Sequence, residues 1–437
     1  MADPAADLCA FVDASPTPYH AVAEMVRRLD EAGFRALDER DSWGLAPGDQ
    51  RYVVRGGGSV VAFRVGTAAP ADGGFRVVGA HTDSPTLKVR PRPDVRRAGY
   101  RLIGVEPYGG PLLYTWLDRD LTLAGRVAVR DHDGGTELRL VRLPGAPLRV
   151  PSLAIHLQRD LRETGLQLDP QRHVVPLWGP DVDGEPGLVE VLANAVGVAP
   201  ADILGHDLVT VDTLPAALGG GGGSYVTAPR LDNLSSCHGG LSALLAADAD
   251  PATPATQVLV ANDHEEVGSR SAEGAGGPFL ADVLAGIAAA TGEGGDGGDA
   301  TALRRAVARS RLVSCDVSHA VHPNFSERHE PGHTPRLGGG PVLKVNANRS
   351  YATDAATGGW FAARCAEAGA GLQHFVSRAD LPCGSTIGPV TAQRLGIATV
   401  DVGAPVLAMH SCREVAAAED VAPQAATLRA CLASPLA

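Results

Sequence analysis

Four short apolar runs, each leading to a histidine or a carboxylate, constrain this chain more than any other feature of its sequence. FRVVGA runs into His81, QVLVANDH into Glu265 and Glu266, RLVSC into Asp316, and the strand-like ATVDV reaches His410 after a short loop. Runs of this length bounded by polar residues read as buried strands, here Phe75 to Ala80, Gln257 to Ala261, Arg311 to Cys315 and Ala398 to Val402. Between them lie stretches of helical period, Leu234 to Ala247 and Ala281 to Ala290. Alternation of strand and helix implies an α/β fold with a mainly parallel sheet. In such a sheet ligands gather outside the carboxyl ends of the strands, which is where these polar residues fall.

Upstream, Val22, Met25, Val26 and Leu29 repeat at helical spacing after Pro18, with Gly33 placed to end the segment. Short strands follow over Arg51 to Arg55 and Ser59 to Val65. Over residues 91–225 the texture changes to Val, Leu and Arg alternations such as RVAVRD and TELRLVRL, with a turn signal at Asp133-Gly134-Gly135 between them. This reads as a β-rich domain inserted between residues 1–90 and 226–437, which together form the α/β domain. The run Gly219 to Gly223 closes the insert as a flexible connection, and TGEGGDGGDA at 291–300 reads as a mobile surface loop without a phosphate-binding motif.

Composition narrows the partners. A net charge of −12 with no basic run and no basic and aromatic interleaving argues against nucleic acid. No segment holds about 18 uninterrupted apolar residues, and the acidic, proline-broken start is unlike a signal peptide, so no membrane span and no export are expected. Seven scattered cysteines without a CxxC pair suit the reduced thiols of a cytoplasmic protein. What remains is a small molecule or a peptide.

Asp232 stands at the head of a helix in Arg230-Leu231-Asp232-Asn233, and with His81, Glu266, Asp316 and His410 it completes a set of two imidazoles and three carboxylates. Such donors suit a pair of zinc-like ions, because one carboxylate can bridge two metals and leave each a position for water. The neighbouring Glu265 and Glu266 leave a turn in different directions and so offer a base and a ligand together. Singly each residue has a plain reading: a strand-end histidine hydrogen-bonds locally, an aspartate caps a helix and an acidic pair is solvated. Their coincidence at successive strand ends favours a dinuclear metal hydrolase.

The segments SPTPYHAV, GAHTDSPTLKVRP, PSLAIHL, APRLDNLSSC, NDHEEVGS, SCDVSHAVHPNF, KVNANRSYATD, LPCGSTIGP and GAPVLAMHSCREV, in that order, resemble those of the M18 metallo-aminopeptidases, the aspartyl aminopeptidases and their bacterial relatives. The resemblance spans nearly the whole chain. It implies that His81, Asp232 and Asp316 hold one metal and Asp232, Glu266 and His410 the other, both most simply Zn2+ with Co2+ or Mn2+ as alternatives. Glu265 would be the general base, and Asp83 would orient the imidazole or the bridging carboxylate. Substrate contacts are implied for His156, His319, Lys344 and Tyr351, although alone these read as ordinary core, surface or packing residues. The implied reaction removes the first residue, preferably Asp or Glu, from a peptide with a free N-terminus, metal-bound hydroxide attacking the carbonyl. The implied assembly is a tetrahedral dodecamer built from dimers through the inserted domain, with His156 reaching a neighbour's site. The five-glycine run, the 291–300 loop and NANRSYATD depart from the family's pattern. Two rivals stay open: a related two-metal hydrolase of neutral N-terminal residues or acyl-amides, and a catalytically silent cage or cargo protein.

Overall fold

A computed structural model describes residues 3–247, 253–291 and 300–435. The chain divides into two compact units, the first made of Met1–Asp83, Ala216–Met409 and Glu414–Ala437, the second of Ser84–Pro215 and His410–Arg413. The insert expected over 91–225 and the second unit overlap but differ at both edges. Thr86–Arg97 already belongs to the second unit's sheet, and Ala217–Gly219 and Tyr225–Ala228 are taken up by a sheet of the first.

The first unit is built on a nine-stranded sheet whose centre is four parallel strands, in the order Thr256–Asn262, Phe75–His81, Arg311–Cys315 and Ala398–Gly403. Every residue of Phe75–His81 and of Thr256–Asn262 is buried, as expected of strands covered on both faces. The side chains alternate between two cores: Val78, Ala80, Leu259, Ala261 and Val313 pack on one face with helix residues such as Phe11, Met25 and Leu234. Val77, Val258, Val260 and Leu312 pack on the other with Phe279, Leu284 and Ile287. Each such side chain contributes roughly 1.5–3 kcal/mol on burial. The register sets Asn262 beside His81, and the Asp316 N–H bonds the Val402 carbonyl at 2.9 Å, so the carboxyl ends of the central strands come level.

The expected helices and strands are present with small changes of boundary. The helix read from Val22 to Leu29 is Pro18–Glu31, and Leu234 to Ala247 is Leu231–Ala246. One reading is corrected. The glycine run is a hairpin turn rather than a loose connection, because Ala217–Gly219 pairs antiparallel with Tyr225–Ala228 and Gly220, Gly222 and Gly223 take the positive φ that the reversal needs. That hairpin joins Glu414–Ala417, Pro405–Leu407 and Ser318–His319 in a second, five-stranded sheet of the first unit. The 291–300 loop falls, but for its two end residues, outside the described residues.

The second unit is an antiparallel sheet that closes on itself, since Ile203–Asp212 pairs with both Thr86–Arg97 and Asp120–Arg130. It has its own core around Leu87, Ile103, Leu121, Val127 and Leu208. The expected turn at Asp133 to Gly135 joins Asp120–Arg130 to Thr136–Arg142. Among the described residues no helix is long and apolar enough to cross a membrane.

Candidate metal centre

His81 is the last residue of its strand and is almost fully buried, 1% exposed. Its Nδ1 lies 3.1 Å from the Asp83 carbonyl, an acceptor, so this nitrogen donates and Nε2 is the one left to face the carboxylates, as a donor when the ring is protonated and as a ligand when a cation takes that proton's place. That Nε2 faces carboxylates: Asp232 Oδ1 at 3.2 Å, Asp316 Oδ1 at 3.5 Å and Glu265 Oε2 at 4.0 Å. The carbonyl of His81 is held in turn by the Cys237 thiol at 3.0 Å.

Asp232 is brought to the imidazole by a distorted helix start. Arg230 has a positive φ of 58°, Asp232 itself is non-helical, and the peptide linking Asp232 to Asn233 is cis. The Asp232 N–H donates to Glu414 Oε2 at 2.9 Å and the Asn233 amide donates to the Cys315 carbonyl at 2.8 Å. The aspartate therefore serves neither as a helix cap nor as a solvated surface group. Asp316 follows its strand directly, and the strand Ala398–Gly403 beside it ends on a glycine for a steric reason. A Cβ at Gly403 would lie 1.7 Å from the Asp316 carbonyl oxygen.

Glu265 and Glu266 sit on the tight turn Glu265–Val267 after Thr256–Asn262. Both of their backbone N–H groups donate to the Asp83 carboxylate, at 3.0 and 3.1 Å. Asp83 thus does more than orient His81, from which its Oδ1 stands 3.4 Å away. It straps the glutamate turn to the histidine segment. Ligand atoms of His81, Asp232 and Asp316 lie within 4.8 Å of one another, as do those of His81, Glu265 and Glu266.

The electrostatics call for a cation. Burial pushes Glu265 up to about 7, with the Asp316, Asp83 and Asp232 charges adding to it and His81 opposing. Glu266 is raised well above the ordinary range, first by burial and then by Asp232. Burial alone would lower the His81 pKa, but its hydrogen bonds to Asp232, Asp316 and Asp83 outweigh that and hold it well above its usual value. Five carboxylates gathered around one imidazole and one ammonium make a strongly negative buried cluster. The donor spacing also fits: bonds of about 2.0–2.2 Å to a tetrahedral zinc put neighbouring ligand atoms about 3.3–3.6 Å apart. The 3.2 and 3.5 Å separations around His81 Nε2 match that edge.

The first unit brings together His81, Asp83, Asp232, Glu265, Glu266 and Asp316. Lys344 joins them through Asp316. Its buried Nζ donates to the Asp316 and Val317 carbonyls at 2.9 and 3.2 Å and stands 3.5 Å from Asp316 Oδ2, with the Tyr351 ring 5.2 Å away. An ammonium has three donors, and the two carbonyls engage two of them beside the Asp316 ion pair. His319 and Tyr351 line a cleft of about 300 Å3 with Phe375, Met409, Arg328 and Arg378. Among the described residues that line it, Lys344 is not one and no carboxylate is present.

His410 and His156 belong to the second unit. His410 has a positive φ of 66°, and its Nδ1 lies 3.1 Å from the Gly110 carbonyl, so that Nδ1 is the donor and Nε2 the nitrogen that could meet a cation. His156 sits on the exposed turn Ile155–Leu157, between apolar side chains that are themselves exposed, Leu153, Ile155 and Leu157 at 59, 54 and 74%.

Sequence reasoning passed over Glu414, which reads as one more acidic residue in CREVAAAED yet is 1% exposed and holds the Asp232 backbone. The one available signal was its position at the start of an apolar strand.

The family described as aminopeptidase I zinc metalloprotease (M18) matches residues 11–431 of the chain. A Streptomyces coelicolor protein named probable M18 family aminopeptidase 2 is 49% identical over 416 residues, 95% of this chain and 94% of that protein. Among solved structures, the chain matched in the cryo-EM structure of the Ape4 and Nbr1 complex superposes with a TM-score of 0.93 at 36% identity, covering 98% of this chain and 85% of that one. The S. cerevisiae mApe1 dodecamer superposes with a TM-score of 0.85 at 28% identity, covering 98% of this chain and 96% of that one.

Proposed function

The chain belongs to the M18 family of zinc metalloproteases and is a metallo-aminopeptidase, and from that premise we propose that it removes acidic N-terminal residues from peptides at a dinuclear centre. The observation that carries the reading is the buried cluster in which His81 Nε2 faces Asp232 and Asp316 at ligand-to-ligand spacing, with Glu265 just beyond at 4.0 Å. His81, Asp232 and Asp316 would hold one ion and Asp232, Glu266 and His410 the other. Zinc held there supplies Lewis acidity, polarising the scissile carbonyl and making water nucleophilic near neutral pH.

The chain's own groups do the rest. Glu265 takes the proton of the attacking water and passes it to the leaving amine, a task suited to a carboxyl that burial has tuned towards neutrality. Asp83 keeps His81 in the tautomer that presents Nε2 and keeps the Glu265 backbone in place. Glu414 keeps Asp232 in place. Lys344 steadies Asp316, and the first side chain of the peptide enters the cleft of His319 and Tyr351.

Support for an acidic preference comes from that cleft, whose wall carries Arg328 and Arg378; Arg378 is paired with Asp380 at 2.6 Å, so Arg328, 3.9 Å from Glu327, is the guanidinium better placed to meet a substrate carboxylate. A charge-matched pocket favours a carboxylate and rejects an ammonium. The test is a panel of dipeptides beginning with Asp, Glu, Ala, Leu and Lys, assayed with defined zinc. Asp and Glu substrates should exceed Ala in kcat/KM by about tenfold or more and Lys should be poorest, on the scale of one charge-assisted contact. Equal or higher values for Ala and Leu would make this a neutral-residue enzyme instead.

A homo-oligomer, with dodecamers assembled from dimers, is part of the same reading. It is supported by the mApe1 dodecamer and by the uncovered apolar side chains around His156, which call for a covering partner. His156 would then complete a neighbour's site. All seven cysteines are free thiols, which supports a reducing, cytoplasmic setting.

A further inference from the structure

Two loops form much of the cleft wall. Residues 345–354 carry Tyr351, and residues 376–386 carry Arg378, Leu381, Pro382 and Gly384. Loops of this kind have little backbone pairing of their own to fix their distance from the sheet, so something else must hold them. Both converge on one side chain.

Asp401 lies within the strand Ala398–Gly403 and is fully buried, at 0% exposed. Its Oδ2 accepts the Ala352 N–H at 2.6 Å and its Oδ1 accepts the Thr386 hydroxyl at 2.6 Å. Its backbone N–H donates to Thr353 Oγ1 at 2.9 Å. With a longer bond from the Thr353 hydroxyl to the Asp401 carbonyl at 3.5 Å, one residue thus ties the Tyr351 loop by three bonds and the 376–386 loop by a fourth. The neighbouring helix Ile387–Leu395 makes room for the carboxylate with a glycine in its first turn. A Cβ on Gly388 would lie 2.2 and 2.4 Å from the two Asp401 carboxylate oxygens. A buried negative charge at a helix start is favoured by the helix dipole, and its bonds to N–H and O–H groups are of the strong, charge-assisted kind.

Asp401 makes none of the hydrogen bonds that hold the metal cluster, which run through Asp83, Glu414, Asn233 and Cys237; Lys344, bonded to the Asp316 carbonyl and 5.2 Å from the Tyr351 ring, is a group that touches both the cluster and the cleft wall. We propose that Asp401 is a positioning residue that sets the spacing of the two cleft walls, and hence the fit of the peptide's first residue, without acting on the metal cluster. The inference rests on reading the cleft as the place where that residue binds. An amide at position 401 would lose the charge that strengthens both bonds and would keep one acceptor oxygen for two donors, so that the Thr386 hydroxyl could stay bonded only by reversing its role, and the ties weaken.

The test uses metal-loaded full-length protein carrying Asp401→Asn or Thr386→Val. Substitution of the threonine removes one hydroxyl tether and keeps the buried charge, so it serves even where the first variant folds poorly. For an Asp-initiated peptide, KM should rise by about tenfold in Asp401→Asn and about threefold in Thr386→Val, as for one strong and one ordinary hydrogen bond. kcat should stay within about threefold and metal content should be unchanged. Hydrogen exchange should quicken in 346–353 and 381–386 and stay as in wild type in 81–84 and 263–267. KM within about twofold of wild type in both variants, or kcat and metal content falling together with exchange quickening throughout, would overturn the proposal. A wild-type protein without peptidase activity would instead sink the functional reading, while the exchange pattern would still decide whether Asp401 tethers the two loops.

Discussion

Glu265→Gln should bind its metals as wild type does and turn over about 10² to 10⁴ times more slowly, the usual contribution of a general acid or base. The substitution keeps the size of the side chain, and the turn is held through the Glu265 and Glu266 backbone N–H groups rather than through the carboxylate that changes. Glu265 also stands farthest of the three carboxylates from His81 Nε2, at 4.0 Å against 3.2 and 3.5 Å. Metal analysis beside steady-state kinetics checks this; activity within about twofold of wild type would remove Glu265 as the base. The same variant tests the donated histidine. Reassembled in equal amounts with His156→Ala, it should regain activity in about a quarter of sites, since random pairing puts a native Glu265 opposite a native His156 that often. A mixture no more active than the mean of its parents, with subunit exchange verified, would return His156 to its own chain.

Asp232→Ala should lose both ions and with them activity, by on the order of 10³-fold or more, because Lewis-acid assistance amounts to several kcal/mol. Asp232 is the one candidate shared between the two proposed ion positions. In metal-free protein the same change should not destabilise, and should weaken the pH dependence of stability. The sign follows from Glu265, raised by burial to about 7 with Asp232 among the charges adding to it. A carboxyl whose folded pKa lies above its unfolded value stabilises below that unfolded value and loses the contribution as pH rises towards about 7. Metal-free wild type should therefore melt progressively lower from about pH 4 to pH 7, and metal-free Asp232→Ala less so. Thermal melts with and without chelator, together with metal stoichiometry, decide it. Two ions per chain in wild type and two in the variant would contradict the bridging role.

The strand ends were legible because they are local. A buried parallel strand announces itself as an apolar run, and a polar residue at its carboxyl end stands out, which is how His81, Glu265, Glu266 and Asp316 could be read from sequence. Contacts that cross the chain leave no such trace. Asp83 meets the Glu265 N–H 182 residues away, Glu414 meets Asp232 at the same separation, and Asp401 meets Ala352 49 residues away. Asp401 hid inside ATVDV, where the surrounding valines suggested only a strand. The five-stranded sheet was invisible because its members have two to four residues each, too short for a period to show. Its presence also explains the path to His410, which follows Pro405–Leu407 rather than leaving Ala398–Gly403 by a single loop. Lys344 could be read as facing substrate only because its segment resembles a substrate loop; its bonds to the Asp316 and Val317 carbonyls, 28 and 27 residues away, left no trace in the sequence.

The most direct test of the central claim is mass spectrometry of one acidic-tailed peptide, such as an Asp-Ala-Leu sequence, offered with a free and with an acetylated N-terminus. The account predicts that metal-loaded protein shortens the free peptide by its first residue, leaves the acetylated one intact, and stops on chelation and resumes when zinc is restored. Cleavage inside the peptide, release of a residue from the acetylated form, or hydrolysis that ignores the chelator would contradict it.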